Sequence, residues 1–291
     1  MSDAMKIGGI DKRWVYLLVA IGALIPIIKP LGLPVLSTPA VEALFEKIES
    51  LEPGDVIMLS FDYGPSSAPE LDPMAESILR HCFQRDISVV VVALFPLGGD
   101  NQAKIALNKI VPEFPVVEGE DYVYLGYKDG GLAVLRRMAE DISIVFPQDN
   151  RGIPLEDIPL MQRVQNYSDT ELSVSLATGI MGEWWAILVN AQFGQPVAVG
   201  ATAVSAPKYY AYLKAGQMLS LLGGLKGAAE YETLIGEHYP ELKERSQIAT
   251  RGMDVQSIVH LIIIGFIILG NIVYLISRSE RTRAGGRLAS K

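Results

Sequence analysis

Residues 259–276, VHLIIIGFIILGNIVYLI, carry no formal charge over 18 positions, and no other stretch limits the possible folds of this chain so strongly. At 1.5 Å per helical residue this run covers about 27 Å of a hydrocarbon core roughly 30 Å thick. Tyr274 suits the interfacial end, and Arg278, Arg281, Arg283 and Arg287 follow as a stop-transfer flank. The pattern predicts a transmembrane helix over 256–277 and a mobile basic tail over 278–291.

A second apolar run, WVYLLVAIGALIPII at 14–28, spans 15 residues before Lys29. Leu31 to Leu36 extend it, Lys29 can snorkel to the headgroups, and Pro26 and Pro30 kink or end the helix. A transmembrane helix over 14–32 is expected. The competing reading is a cleaved signal peptide, but no small-x-small site follows the apolar run.

Charge sets the expected orientation. Residues 1–13 hold three basic and two acidic side chains, net 3 − 2 = +1, and residues 277–291 hold five against one, net 5 − 1 = +4. Residues 33–255 hold 16 basic and 30 acidic side chains, net −14. Short basic flanks stay in the cytoplasm, so both termini are expected inside and the 33–255 domain outside. The expected partners are the lipid bilayer and the protein itself or other membrane proteins. A net of −14 argues against nucleic acid as a partner, because such binding needs a basic surface. The one cysteine, Cys82, cannot form an intrachain disulfide and reads as a small core residue in SILRHCF.

Between the apolar runs, strand and helix patterns alternate. Strands are predicted at 56–63, 87–95, 121–127, 171–179 and 196–204, and helices at 41–51, 70–86, 101–111, 130–142 and 183–194. In the 70–86 helix, Asp72 reads as the cap and Pro73 as the first helical position. The fold class expected is α/β, a mostly parallel sheet of about five strands with helices on both faces, flanked by the two membrane helices. The stretch 205–242 is helical in tone and rich in Tyr and Gly, including Tyr209, Tyr210, Gly223 and Gly224. It serves either the sheet's outer layer or a docking surface.

Ligands of open parallel sheets bind beyond the carboxyl ends of the strands. There the sequence supplies Asp62, Ser66 and Ser67 after the first strand, with Glu70 and Asp72 close behind, and Lys128, Gly130 and Gly131 after the third. Asp62, Glu70 and Asp72 offer oxygen ligands for a hard cation, and Asp62, Ser66 and Ser67 are the formal catalytic candidates. Lys128 with Gly130 and Gly131 is an anion-holding candidate, although a plain glycine turn explains it as well. Only three histidines occur, there is no G-x-S-x-G elbow, and GYKDGG fits neither phosphate-loop spacing. No cofactor and no resident metal is expected. In the second apolar run, Asn271 with Gly265 and Gly270 could promote helix association. The reading is therefore an interaction or scaffold module in an oligomeric membrane assembly, with the enzyme question left open. A ligand-binding sensory domain and a membrane-tethered hydrolase or metal enzyme centred on Asp62 are the alternatives.

Overall fold

A computed structural model describes residues 6, 7 and 10–288. The outer parts of both predicted tails, residues 1–5 and 289–291, lie outside the described residues. The chain divides into two units, residues 1–34 with 251–291, and residues 35–250.

The larger unit is built on a six-stranded parallel sheet. In chain order the strands are β1 Val56–Asp62, β2 Ser88–Ala93, β3 Tyr122–Tyr127, β4 Leu172–Ala177, β5 Val197–Ala201 and β6 Ser220–Gly223. Their order across the sheet is β3-β2-β1-β4-β5-β6. The first five coincide with the predicted strands. β6 corrects the helical reading of 205–242. That stretch folds as α7 Ala206–Lys214, the strand, then α8 Gly224–His238. Its signal was weak because SLLG is only four residues long and already ends in the first glycine of the pair Gly223-Gly224. Gly224 adopts φ +62° against Ala203, a turn that a side chain would strain and obstruct.

Every residue of β1, β2 and β4 is buried, as continuous apolar runs in a doubly covered sheet require. One face carries α3 Ala68–Gln84, α4 Gly99–Ile110, α8 and, beside β6, α2 Pro39–Glu49. The other carries α5 Leu132–Glu140, α7 and a composite helix, here α6, made of Met181–Trp184, the π-helical Trp185–Asn190 and Ala191–Phe193. The core under this second face joins Val56, Met58, Val90, Val92, Val123 and Val199 with Trp185 and Tyr209. α3 begins at Ala68, with Pro73 inside it, so Asp72 is not the predicted cap. Instead Asp72 Oδ1 accepts from the Tyr63 hydroxyl at 2.7 Å and from Gln102 Nε2 at 3.0 Å.

Two acids on α8 hold the points where the chain enters and leaves this unit. Glu230 accepts from the backbone N–H and the hydroxyl of Thr38, at 2.9 and 2.7 Å, and so caps the start of α2. Glu232 accepts from the N–H groups of Ala249 and Thr250 at 2.9 and 2.8 Å, the first turn of α9 Ile248–Leu288. Both acids lie at helix N-termini, where free N–H groups and the helix dipole favour a carboxylate.

The smaller unit pairs α1 Lys12–Ile28 with α9. Gly22 sits where any side chain would run into Ile262, so the absent Cβ lets the two helices approach. Beyond α1 the chain loses helical form, and the N–H groups of Leu31, Gly32 and Leu33 all donate to the Asp254 carboxylate, at 2.8, 3.0 and 3.1 Å. Gly22 beside Ile262 and Gly32 beside Asp254 define an antiparallel register. Carried forward, that register sets Asn271 level with the first turn of α1, not with its middle. Apolar side chains of both helices point outward, among them Trp14, Ile28, Leu261 and Leu275. Residues Ile248–Ile276 form one helix long and apolar enough to cross a membrane by length and composition, with mean hydropathy 2.5. The Arg13–Ile28 helix is apolar but shorter, so one membrane-length helix, not two, is found among the described residues. α9 also continues to Leu288 instead of ending at 277.

Replacing Gly22 by Leu is expected to push α1 off α9. The disulfide yield between cysteines placed at Leu18 and Phe266 would then fall several-fold, while Ile25→Ala, a change at an exposed position of α1, leaves the yield unchanged.

Candidate functional site

The strand order reverses between β1 and β4, the position where open parallel sheets hold their ligands. Strand alternation turns Val56, Met58, Ser60 and Asp62 toward the α6 side, and the register sets Ser60 opposite Ser175 and Asp62 opposite Ala177. A polar patch thus interrupts a hydrophobic core. Asp62 has no solvent exposure. Its Oδ1 accepts from the Ser60 hydroxyl at 2.7 Å, and its Oδ2 from the Ser175 hydroxyl at 2.5 Å and the Trp185 indole N–H at 2.8 Å. The backbone N–H of Leu94 donates as well. Burial dominates and raises the Asp62 pKa to about 6, while the Ser175, Ser60 and Trp185 hydrogen bonds pull it down. One hydroxyl further along the same face of β4, Ser173 Oγ is buried without a partner.

Above Asp62 the expected crevice is closed. Thr178 donates to the Asp62 carbonyl through its N–H at 3.1 Å and its hydroxyl at 3.3 Å. Gly64 packs against the Leu97 carbonyl, Gly98 against Pro65 and Gly99 against the Phe61 carbonyl, so the loops after β1 and β2 interlock. Three of the strand-end loops carry an exposed apolar side chain. Leu97 is 74% exposed, Val204 92% and Ile180 50%, from the loops after β2, β5 and β4.

No family model and no curated protein matches this chain.

The predicted acidic trio does not converge. Asp62 turns into the core, Asp72 bonds Tyr63 and Gln102, and Glu70 accepts from the Ala203 N–H at 2.7 Å. Among the described residues no group of three or more His, Cys, Asp or Glu could hold a metal ion. Ser66 is exposed and Ser67 half-buried in the turn Pro65–Ser67, and no histidine is hydrogen-bonded to either. Lys128 lies over the Phe146 ring, 5.8 Å from its centroid. Gly130 and Gly131 have φ of +138° and +52°, and a side chain on Gly131 would strike the Trp184 ring. That turn needs glycine for its backbone and its packing. Lys128 nevertheless lines a cleft of about 460 Å³ with Asp100, Lys104, Gly126, Tyr127 and Asn150, which joins the loops after β2 and β3.

Of the predicted interface residues, Tyr209 is buried and donates to the Gly179 carbonyl at 3.1 Å, so it belongs to the domain's own core. Gly223 and Gly224 likewise pack against Ala206 and Ala203. Tyr210, half exposed, remains at the surface. Gly265 and Gly270 have open space around them, and Asn271 is exposed.

Sequence reasoning overlooked a second buried polar cluster. His81, read only as a scarce helical histidine, is fully buried between Glu49, whose Oε1 lies 2.9 Å from Nε2, and the Tyr231 hydroxyl, 2.7 Å from Nδ1. The Tyr239 hydroxyl donates to the same Glu49 oxygen at 2.6 Å. Burial holds the imidazole neutral and lowers its pKa to about 4, against the pull of Glu49. No pattern in sequence joins residues 49, 81, 231 and 239, because the fold alone brings α2, α3 and α8 together.

The two buried groups titrate with opposite sign. Below pH 6.5 the unfolded chain protonates His81 while the folded one does not, so stability falls toward pH 4. Between pH 6 and 3.8 the folded chain protonates Asp62 while the unfolded one does not, so stability rises over that window. The two slopes offset each other in the native protein. Asp62→Asn removes one of them, and its unfolding midpoint in urea is expected to drop steadily from pH 6.5 to 4, a loss of roughly 3 kcal/mol at about 1.4 kcal/mol per unit.

Proposed function

We propose that this chain is a two-span membrane protein whose hairpin of α1 and α9 presents the α/β domain outside the cytoplasm as an interaction module, part of an oligomeric membrane assembly. The observation that carries the interaction reading is the carboxyl edge of the sheet. Its ligand crevice is filled by Thr178 and the interlocked glycine loops, and what it offers outward is apolar tips at Leu97, Ile180 and Val204. Apolar side chains exposed on the loops of one sheet edge suit a docking surface where they form one patch.

The membrane half of the reading is supported by Asp254. Backbone that leaves helical form near a bilayer must have its N–H groups satisfied within the protein, and Asp254 does this for three successive ones. The +4 and +1 flanks against a −14 domain support both termini inside. The test is the mass of the complex extracted from native membranes with mild detergent. A discrete assembly that dissociates in Leu97→Asp/Val204→Asp supports the reading, and a monomer in both proteins contradicts it.

A second reading, a ligand-binding domain, is favoured by the cleft beside Lys128. A thermal shift with phosphate or small carboxylates that disappears in Lys128→Ala would support it.

A further inference from the structure

We propose that Asp62 is a proton-binding site that couples acidity of the surrounding medium to the shape of the Thr178–Ile180 loop and of α6. This rests on reading the carboxyl edge as the docking face, since Ile180 is one of its tips. The geometry is that of a carboxylate with no charge partner among the described residues. The groups facing it are Ser60 on β1, the Leu94 N–H after β2, Ser175 on β4, Trp185 on α6, and Tyr167 and Tyr209 from the elements packed above. The nearest charged side chains on α6 and α7, Glu183 and Lys208, pair with each other at 2.6 Å. All its hydrogen-bond donors are neutral, so nothing in the core holds the negative charge except those donors.

Protonation converts one carboxyl oxygen from acceptor to donor. The Trp185 and Leu94 N–H groups cannot reverse direction, but a serine hydroxyl can rotate and accept. The proton therefore goes to an oxygen facing Ser60 or Ser175, and the displaced hydroxyl needs a new acceptor. Trp185 feels the change directly, because its indole then donates to a neutral acid instead of a carboxylate, and such a bond is roughly half as strong. Trp185 also opens the π-helical turn Trp185–Asn190, a strained register often found where helices do work. The Asp62 carbonyl holds Thr178, so the loop and the helix share one anchor. An Asp62 pKa near 6 places the transition at mild acidity.

The experiment is a pH titration of the full-length protein in lipid nanodiscs, with ¹⁵N-indole tryptophan and backbone amide resonances followed together. The Trp185 indole resonance, assigned through Trp185→Phe, should shift with a midpoint near pH 6. Amides of 178–181 and 185–190 should move with the same midpoint. Ser60→Ala, which removes one donor, should raise that midpoint by about one unit. Asp62→Asn should abolish the titration, and the wild-type result stands alone if that variant fails to fold. A Trp185 resonance flat across roughly two units either side of that midpoint overturns the proton site, and a titrating indole with immobile 178–190 amides overturns the coupling. Either outcome is independent of whether the native complex is an assembly, so the failure of the docking reading would be seen separately.

Discussion

Asp254→Ala is expected to destabilise the helical hairpin by about 3 kcal/mol. Three N–H groups, from Leu31, Gly32 and Leu33, converge on one buried carboxylate. Hydrogen bonds to a charged group contribute roughly 1.5–3 kcal/mol each and do not add fully. Alanine removes all three and leaves the N–H groups of Leu31, Gly32 and Leu33, which stand on the exposed side of the latch, without their acceptor in the protein. Asp254→Asn keeps one acceptor oxygen and should fall between wild type and alanine. The midpoint of unfolding on titrating SDS into a mild-detergent sample, read by far-UV circular dichroism, checks the order. Equal midpoints for all three proteins would remove Asp254 from its role as the latch.

Asp62→Ala should cost the α/β domain a comparable loss of about 3–5 kcal/mol. The Ser60 and Ser175 hydroxyls can turn to other acceptors, but the Trp185 and Leu94 N–H groups lose theirs in a dry core. A cavity at the meeting point of β1, β4 and α6 adds to the loss. Asp62→Asn keeps the volume and one acceptor, so at neutral pH it should cost about 1–2 kcal/mol, because it also removes the burial penalty on the charge. Urea unfolding of the full chain in nanodiscs, followed through tryptophan emission, separates these values. If alanine and asparagine behave alike, the hydrogen bonds at Asp62 contribute little and the patch is held by packing.

Much of the fold was legible because periodicity survives at close range. The run SVVVVA in β2 admits only a strand covered on both faces, and the alternation of five such runs with amphipathic segments implies a parallel sheet. β6 escaped notice because its four residues sit between helices and carry no alternation. Pro73 misled for a different reason. A proline is expected in the first turn, yet the preceding Pro65–Ser67 turn moved the helix start back to Ala68.

The site was only half legible. Strand-end logic pointed to Asp62, but nothing in the sequence says whether the last residue of a strand faces solvent or core. That depends on register with β4 and on a tryptophan 123 residues away. The same limit applies to Tyr209, whose neighbour Tyr210 is exposed while its own ring is buried. In the hairpin, the apolar runs were plain, but the acid that closes it lies 222 residues from the Gly32 N–H it accepts. Asn271 illustrates the remaining ambiguity. Spacing within α9 suggested a polar group inside the membrane, whereas pairing with α1 sets it level with the Lys12–Trp14 end.

A two-span hairpin requires α1 to cross the membrane together with α9, and accessibility of single cysteines in intact cells tests that most directly. Cys82 is fully buried and stays silent toward a membrane-impermeant maleimide. Cysteines at Ser2, Ser66 and Arg278 then report the N-terminal flank, the domain and the C-terminal flank. A two-span hairpin predicts labelling of Ser66→Cys in intact cells, and of Ser2→Cys and Arg278→Cys only after permeabilisation. Labelling of Ser2→Cys together with Ser66→Cys in intact cells would place the N-terminal helix on the domain's side and contradict the hairpin.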